Sequence, residues 1–354
     1  MDLHSQFEAS TPAIVLAEGE FGRTGGKTAN GVVMHSELFD ARAVIDSTTA
    51  GMSVPTVLEK ADAPDIPIVD TFETAIRHAP EAEALIVGVA PAGGKLPNSW
   101  IGTIQEAMRS GCDIVSGLHV FLSDDDDWNL LAGDCGVRLF DVRKAPPETE
   151  LRVADGRVSE LDADIVLTMG TDCAVGKRTT TFELYRAARA AGLDAGWVAT
   201  GQTGTMVGAN RGIVIDRIPA DFAAGAVEGL VYDTAQEHDI VFVEGQASLT
   251  HRAYSGVTLA ILHGAWPDIV VLADDPNRSE RTHFEQFAVS GIEHERATIE
   301  SLSDATVAAV STWGSPEDVT STTGLPAANI FDDGGPEALL EAVQDSRDTR
   351  RVVP

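Results

Sequence analysis

Lysine is almost missing from this sequence: 354 residues contain only Lys27, Lys60, Lys95, Lys144 and Lys177. Arginine supplies the other cations, and Lys+Arg reach 25 against 55 Asp+Glu, a net charge of −30. A chain this acidic repels DNA, RNA and anionic membranes, which argues against nucleic-acid binding. Apart from a local run at 124–127 the charge is spread along the chain. The plainest reading is a halophile cytosol, where dense surface carboxylates stay hydrated and molar salt screens their repulsion. An acidic face for a basic partner is the alternative. Cysteine is scarce as well. Cys112, Cys135 and Cys173 are odd in number and form no CxxC, so neither a disulfide framework nor a zinc site is expected. No charged N-terminal segment leads into a long apolar run, and no stretch approaches ~18 uninterrupted apolar residues. The expectation is a soluble, cytoplasmic protein without a membrane span.

Several catalytic signatures are missing too. Gly-x-Ser-x-Gly, HExxH and Gly-x-Gly-x-x-Gly do not occur, so the hydrolase elbow, the zinc protease and the ordinary dinucleotide fingerprint have no support. What remains is a chain that is 44% hydrophobic, enough for a normal core, and long enough for two α/β domains.

Short apolar runs punctuate both halves. In the first, residues 13–17, 44–46, 66–69, 84–90, 113–116 and 137–141 read as strands. Thr71 looks like the N-cap of a helix through His78, with Glu73 in its first turn. Asn98 or Ser99 is the expected cap of a helix to Arg109. The 84–90 run ends in Pro91-Ala92-Gly93-Gly94. Such strands, separated by helices, predict a parallel sheet covered on both faces, with ligand loops at the strand C-terminal ends. Residues 142–164, with Pro146-Pro147 and many charges, read as a junction. The expected architecture is α/β throughout: a Rossmann-like parallel-sheet domain over 1–156 and a P-loop NTPase-like parallel-sheet domain over 157–354. In the second domain strands are expected at 165–169, 196–200, 212–215, 240–243, 269–273 and 306–311. Helices are expected at 177–191 (closed by Gly192), 222–236 and 337–344, with a frayed tail after Arg347.

The central motif is Gly170-Thr171-Asp172-Cys173-Ala174-Val175-Gly176-Lys177-Arg178-Thr179. It stands between a strand and a helix, the context a phosphate loop needs. Successive backbone N–H groups in a tight Gly-rich turn bind phosphate oxygens, the helix N-terminus adds partial positive charge, and Lys177 adds a full one. One departure matters. The Ser or Thr that usually follows the lysine and binds Mg²⁺ is here Arg178. Thr179 comes one residue later, about 100° further round the helix. Either Thr179 takes the metal role, or the bound phosphate needs no Mg²⁺. Glu244 ends a Walker-B-like strand and can hold Mg²⁺ or act as a general base. Gly201 and Gln202, within Thr200-Gly201-Gln202-Thr203-Gly204, mark a second ligand loop. Asp216 is a weaker candidate for the metal role.

The loop Gly170-Thr171-Asp172-x-x-Val175-Gly176-Lys177 looks like that of dethiobiotin synthetase and its relatives. A closer resemblance combines Cys173-Ala174-Val175, the loop at Thr200, Glu244-Gly245-Gln246-Ala247-Ser248-Leu249, and Asp216 with Asp221-Phe222. The first half contributes Lys27-Thr28-Ala29-Asn30-Gly31, Ile45-Asp46, Ala50-Gly51, Gly88-Val89-Ala90-Pro91, Gly93-Gly94, Leu96-Pro97 and Gly117-Leu118-His119. Together these resemble, over nearly the whole chain, a family long without an assigned function. Its characterised members are D-glutamate N-acetyltransferases of the DgcN type. The resemblance implies an N-terminal Rossmann-like domain, a C-terminal P-loop domain and transfer of acetyl from acetyl-CoA to D-glutamate. Coenzyme A carries a pyrophosphate, so a phosphate loop can bind it without hydrolysis, and Arg178 suits phosphate oxygens.

Acetyl transfer to an amine needs a base and oxyanion donors. The candidate bases are Glu244, His251 and His119, the last on a loop of the first domain. Lys95, Arg217 and Arg252 are candidates for the carboxylates of a small amino-acid substrate, with Arg211 a further loop cation; each is equally an ordinary surface charge. Lys27 follows Gly22-x-x-x-Gly26, but Phe21 stands where a second phosphate loop would have glycine, so the segment reads as a turn and helix start. Three functions stay open: the N-acyltransferase with acetyl-CoA, an ATP-dependent ligase or kinase with ATP and Mg²⁺, and a nucleotide-binding regulator. The sequence leaves a homo-oligomer open and does not count its copies.

Overall fold

The computed structural model describes residues 2–91, 94–281 and 284–352, with side chains through residue 349. Ala92 and Gly93 of the loop at 91–94 lie outside the described residues. The chain divides into two compact units, residues 1–145 with 202–209, and residues 146–201 with 210–354. The boundary expected from the sequence is 156/157, with no transfer of 202–209.

The N-terminal unit contains β1 (Thr11–Leu16), α1 (Lys27–His35), β2 (Phe39–Ile45), α2 (Val54–Leu58), β3 (Ile68–Val69), α3 (Phe72–His78), β4 (Ala84–Val87), α4 (Asn98–Arg109), β5 (Asp113–Ser116), α5 (Asp126–Cys135) and β6 (Leu139–Asp141). Among the described residues its sheet has six strands in the order β3-β2-β1-β4-β5-β6, all pairings parallel. This is the Rossmann order, whose direction reverses between β1 and β4. The fold class read from the sequence holds here.

Local chemistry explains the elements. Thr71 caps α3, accepting a hydrogen bond from Thr74 N with Glu73 in the first turn. For α4 the expected cap is corrected. Pro97 is the N-cap residue and makes no side-chain bond, while Asn98 is already helical; Pro97's fixed φ of −64° presets the helix entry instead. At the switch point α1 lies against β4, with Ala29 N donating to Gly88 O at 3.1 Å. A Cβ at Gly88 would fall 2.7 Å from Ala29 Cα, so only glycine permits that approach.

Asp46, just past β2, stands where a Rossmann domain keeps the acid that binds ribose. Here it is wholly buried. It accepts from Gly19 N at 3.1 Å, Phe21 N at 3.1 Å, and Thr48 N and Oγ1 at 2.9 and 2.7 Å. Its carboxylate pins the loop after β1, which agrees with the missing dinucleotide fingerprint.

The C-terminal unit contains β7 (Asp164–Gly170), α6 (Lys177–Ala190) and β8 (Ala195–Ala199). The next helix, α7 (Gln202–Val207), belongs to the N-terminal unit. Then follow β9 (Arg211–Gly212), α8 (Ala220–Ala235), β10 (Ile240–Glu244), α9 (Ser255–Ala265), β11 (Ile269–Asp274), β12 (Glu280–Arg281), β13 (Phe284–Ala288), α10 (Ile292–Leu302), β14 (Thr306–Thr312), α11 (Pro316–Thr323), β15 (Ala327–Ala328) and α12 (Gly335–Val352). Its parallel sheet runs β15-β14-β11-β7-β10-β8-β9. Every residue of β10 and β11 is buried, as expected of strands covered on both faces. The short strand expected at 212–215 is Arg211–Gly212, and Ile215 starts a 3-10 turn. The expected frayed tail is also corrected: α12 continues to Val352. Leu339, Leu340 and Val343 bury its inner stripe, and Arg347 pairs with Asp164 on β7.

Within the N-terminal unit α7 is anchored by Thr203 Oγ1 and Thr28 Oγ1, 2.7 Å apart and buried. No helix among the described residues is long and apolar enough to cross a membrane.

Candidate functional site

β7 is the central strand of its sheet, and the chain leaves it at Gly170 to form the loop that precedes α6. Thr171 N donates to Ala273 O at 3.0 Å, and Thr171 Oγ1 to Asp274 Oδ1 at 2.8 Å, which ties the loop base to β11. The turn needs left-handed backbone at Ala174 (φ 53°) and Gly176 (φ 98°). Gly176 meets that need without a Cβ, while Ala174 carries strain that persists only where the surroundings impose it. α6 then opens at Lys177 without a side-chain cap, which leaves first-turn N–H groups facing the loop.

Lys177 is 7% exposed and its Nζ donates to Asp172 O within its own loop. Burial lowers its pKa from 10.5 to about 8, with the charges of Cys173, Asp172, Glu295 and Glu244 opposing the drop. A desolvated ammonium, preorganised N–H groups and a helix N-terminus are what a phosphate requires. Arg178 is pushed below its ordinary pKa by burial and lies in the field of Glu244; a guanidinium remains charged all the same. Thr179, the third residue of α6, is half-buried. Thr180 turns away, its Oγ1 2.8 Å from Ser311 Oγ on β14.

Asp172 organises the far side of the loop. It is wholly buried. Arg281 Nη1 donates to its Oδ1 at 3.0 Å, and Arg278 Nη1 to its Oδ2 at 3.4 Å. Arg281 also reaches Thr171 O at 3.2 Å, Ser248 Oγ at 3.0 Å and Thr250 Oγ1 at 2.8 Å. Arg278 donates to Cys173 O at 2.6 Å. Glu295, buried on α10, accepts from Leu249 N, Thr250 N and Thr250 Oγ1. Arg281 thus locks the phosphate loop to residues 248–250, while Arg278 braces the loop and Glu295 holds 249–250. Sequence reasoning missed all three, although Arg278 and Arg281 form a cationic pair just past a strand end in a chain poor in cations.

His251 also faces this carboxylate. It is wholly buried, with Nε2 3.8 Å from Asp172 Oδ1, too far for a hydrogen bond. Nδ1 accepts from Ala253 N at 3.2 Å, so Nε2 carries the proton of the neutral ring. Burial lowers its pKa, and the Arg281 charge lowers it further. Rings of Tyr254 and Phe284 pack on it at 4.9 and 5.3 Å. His251 thus stands buried beside Asp172 in an aromatic sleeve. Asp172, Cys173 and His251 offer ligand atoms within 4.8 Å of one another. Arg281 and Arg278 already hold that carboxylate and Lys177 sits beside it, so the group suits an anion better than a cation.

Glu244 ends β10, directly beside β7, and is 5% exposed. Its charge acts on both Lys177 and Arg178. Its carbonyl accepts from Thr200 Oγ1 at 2.6 Å, and Gln246 Nε2 donates to Thr200 Oγ1 at 3.2 Å. A Cβ at Gly245 would fall 2.1 Å from Thr168 O, so glycine lets the chain leave β10 against β7. Gly201 borders the same corner: a Cβ there would lie 3.7 Å from Glu244 Oε1. The structure thus brings together the loop 170–178, Gly201 and Glu244.

The remaining candidates sit on other chain segments. Gln202 belongs to the N-terminal unit, where its Oε1 accepts from Arg143 Nη1 at 2.8 Å. That bond fixes the side chain at the start of α7. Arg252 is exposed and stacks over Phe287 at 4.7 Å, a place on the β12–β13 hairpin rather than at the phosphate loop. Asp216 and Arg217 are exposed on a 3-10 turn whose Ile215 N donates to Thr200 O at 3.1 Å. Arg211 pairs with Glu237 at 2.9 Å. Lys95 and His119 are exposed on the loops after β4 and β5 of the N-terminal unit. Those loops adjoin: a Cβ at Gly94 would meet His119 Cβ at 3.0 Å. The expected helix start at Lys27 is α1, preceded by a 3-10 turn at Thr24–Gly26.

Comparison with known proteins adds three findings. Residues 152–340 match the DUF1611 P-loop domain, and residues 47–145 match the DUF1611_N Rossmann-like domain; both are described as domains of unknown function. A crystal structure of a DUF1611 family protein from Anabaena variabilis superposes with a TM-score of 0.85 at 30% identity, covering 95% of this chain and 100% of that one. Two relatives are named D-glutamate N-acetyltransferase. One, from Tritonibacter scottomollicae, is 37% identical over 61% of this chain and 63% of its own length. The other, from a Pseudoalteromonas species, is 39% identical over 56% of this chain and 58% of its own. The matched segments thus span under two thirds of either relative.

Proposed function

The chain belongs to the DUF1611 family, and from that premise we propose that it is an N-acetyltransferase, moving acetyl from acetyl-CoA to the amino group of an amino acid, D-glutamate first. The observation that carries this reading is the composition of the phosphate loop. A buried Lys177 and a half-buried Arg178 stand together at the start of α6, with arginine in the place where NTP-hydrolysing loops keep the hydroxyl for Mg²⁺. Such a loop favours grip on a diphosphate over metal-assisted cleavage of one. The two relatives named D-glutamate N-acetyltransferase support this choice of acceptor.

The loop fits the group. The N–H groups of residues 173–177, Lys177 and Arg178 would hold the pyrophosphate of coenzyme A, and Arg281 with Arg278 would keep the loop in its binding shape. When bound, the thioester supplies an activated acyl carbon. Glu244, the candidate base, would take a proton from the substrate ammonium and free its lone pair. The C–N bond forms as the C–S bond breaks. A second proton leaves the nitrogen and ends on the departing thiol, and Glu244 returns its own to solvent. Glu244 is buried at the end of β10 with its charge acting on Lys177 and Arg178, which supports a place beside the bound diphosphate.

The test is product analysis by mass spectrometry in high KCl, with D- or L-glutamate and either acetyl-CoA or Mg-ATP. N-acetylglutamate formed with acetyl-CoA alone is the expected result. ADP released in step with an added carboxylic or amino acid, with no acetylated product, would overturn it in favour of a ligase or kinase.

A further inference from the structure

Trp313 and Phe331 are two of the few large apolar side chains that the chain leaves open, 37% and 59% exposed. They are neighbours, with ring centroids 6.2 Å apart at 50°. Trp313 follows β14 and is fixed by its backbone N–H donating to Asp274 O at 3.1 Å, at the β11 end that also receives Thr171. Its ring borders the phosphate loop: a Cβ at Gly176 would fall 3.0 Å from Trp313 Nε1 and 3.3 Å from two ring carbons. Phe331 extends the apolar surface beside Trp313. It is held by a turn in which its N–H donates to Asn329 Oδ1 at 3.1 Å.

Here a rigid indole abuts the residue before α6, and a phenyl stands next to it. A nucleoside diphosphate held at that helix N-terminus carries its base on a ribose, one sugar beyond the phosphates. Flat, open rings beside a phosphate site match the face of a purine. We infer that Trp313 and Phe331 form the stacking platform for the adenine ring of an adenosine diphosphate moiety whose phosphates sit in the loop 170–178. Both coenzyme A and ATP contain that moiety. The inference rests on the phosphate-loop reading and holds for either source.

The test is calorimetric titration of the whole protein with ADP, coenzyme A and inorganic pyrophosphate. Wild type should bind ADP or coenzyme A more tightly than pyrophosphate. Trp313→Ala and Phe331→Ala should each weaken the adenosine ligand by about tenfold. Both should leave pyrophosphate binding unchanged, and Trp313→Phe should restore most of the loss. Loss confined to coenzyme A names the acyl carrier as source, and loss confined to ADP names a nucleotide. A parallel loss of pyrophosphate, or adenosine affinity untouched in both alanine variants, would overturn the platform. Phe331→Ala guards against distortion of the loop, because Phe331 stands on a separate turn at 329–331 and packs on Trp313. An adenosine-dependent difference without any N-acetylated product would sink the transferase and leave the platform standing.

Discussion

Arg281 donates to the Asp172 carboxylate at 3.0 Å, and both residues are buried, at 1% and 0% exposure, although they lie 109 positions apart in the chain. One guanidinium thereby joins the phosphate loop to the β10–α9 connection through Ser248 and Thr250. Removing it would leave a buried carboxylate facing two hydroxyls that lose their donor, with Arg278 at 3.4 Å the remaining cation. Arg281→Ala should cost about 3–5 kcal/mol, the usual loss when one partner of a buried pair is deleted. Arg281→Lys should recover only part, because an ammonium cannot fork to four acceptors. Chemical denaturation of the three proteins measures this.

Lys177 makes phosphate affinity depend on pH in a defined direction. Its pKa of about 8 in the ligand-free protein means that it begins to lose its charge there, while an unfolded lysine keeps its own to near 10.5. A depressed lysine pKa means that the unfolded chain binds more protons between those values. The Lys177 contribution to stability therefore rises as pH goes from 8 to 10.5, as burial of the charge is relieved. Ligand binding runs the other way: pyrophosphate affinity should fall as pH rises through 8. Titrations between pH 7 and 9.5 should show this inflection in wild type. Lys177→Ala should bind weakly at every pH, keep its fold by circular dichroism and lack the inflection. Unchanged affinity in that variant would remove the loop assignment.

Gly245 allows no side chain. A methyl group there would come within 2.1 Å of Thr168 O, so Gly245→Ala must push β7 and β10 apart or shift the connection. The expected cost is about 1–3 kcal/mol, the range for overpacking. Because Glu244 is the preceding residue, ligand affinity should fall as well. Thermal melts with and without pyrophosphate separate the two effects.

Asp46 should behave as a structural acid. Burial pushes its pKa up, but hydrogen bonds from Thr48, Gly19 and Phe21 outweigh burial and hold it below 3.8. A depressed carboxyl contributes stability above its unfolded pKa and loses it as pH falls through the folded one. Asp46→Asn should therefore destabilise the protein at pH 7 by about 1–3 kcal/mol. The gap to wild type should close below pH 4 in urea unfolding.

The sequence made strands legible because buried parallel strands are short apolar runs. Residues 113–116 coincide with β5, and 165–169 lie inside β7. The phosphate loop was legible because its function requires backbone geometry, which leaves glycines in the text. What escaped was whatever depends on distance along the chain. Arg281 reads as one more arginine until folding sets it against Asp172. Glu295 reads as one of 55 acids, yet it is wholly buried and caps the N–H groups at 249–250. Helix α9 is apolar and packs with α8, so its surface shows no amphipathic stripe to read. The start of a helix at Gln202 was not legible either: Thr200 and Gly201 border Glu244, and the chain turns at that point into α7.

That turn makes the two units hard to pull apart genetically. The main chain passes from one to the other three times, after residues 145, 201 and 209. A fragment cut at residue 145 would be missing the helix that carries Thr203 and Val207, so Thr28 and Gly31 would lose their covering. The complementary fragment would carry eight orphaned residues as a loose flap between β8 and β9. Neither piece is a natural building block; an evolutionary event that recombined one half would have to carry the flap with it.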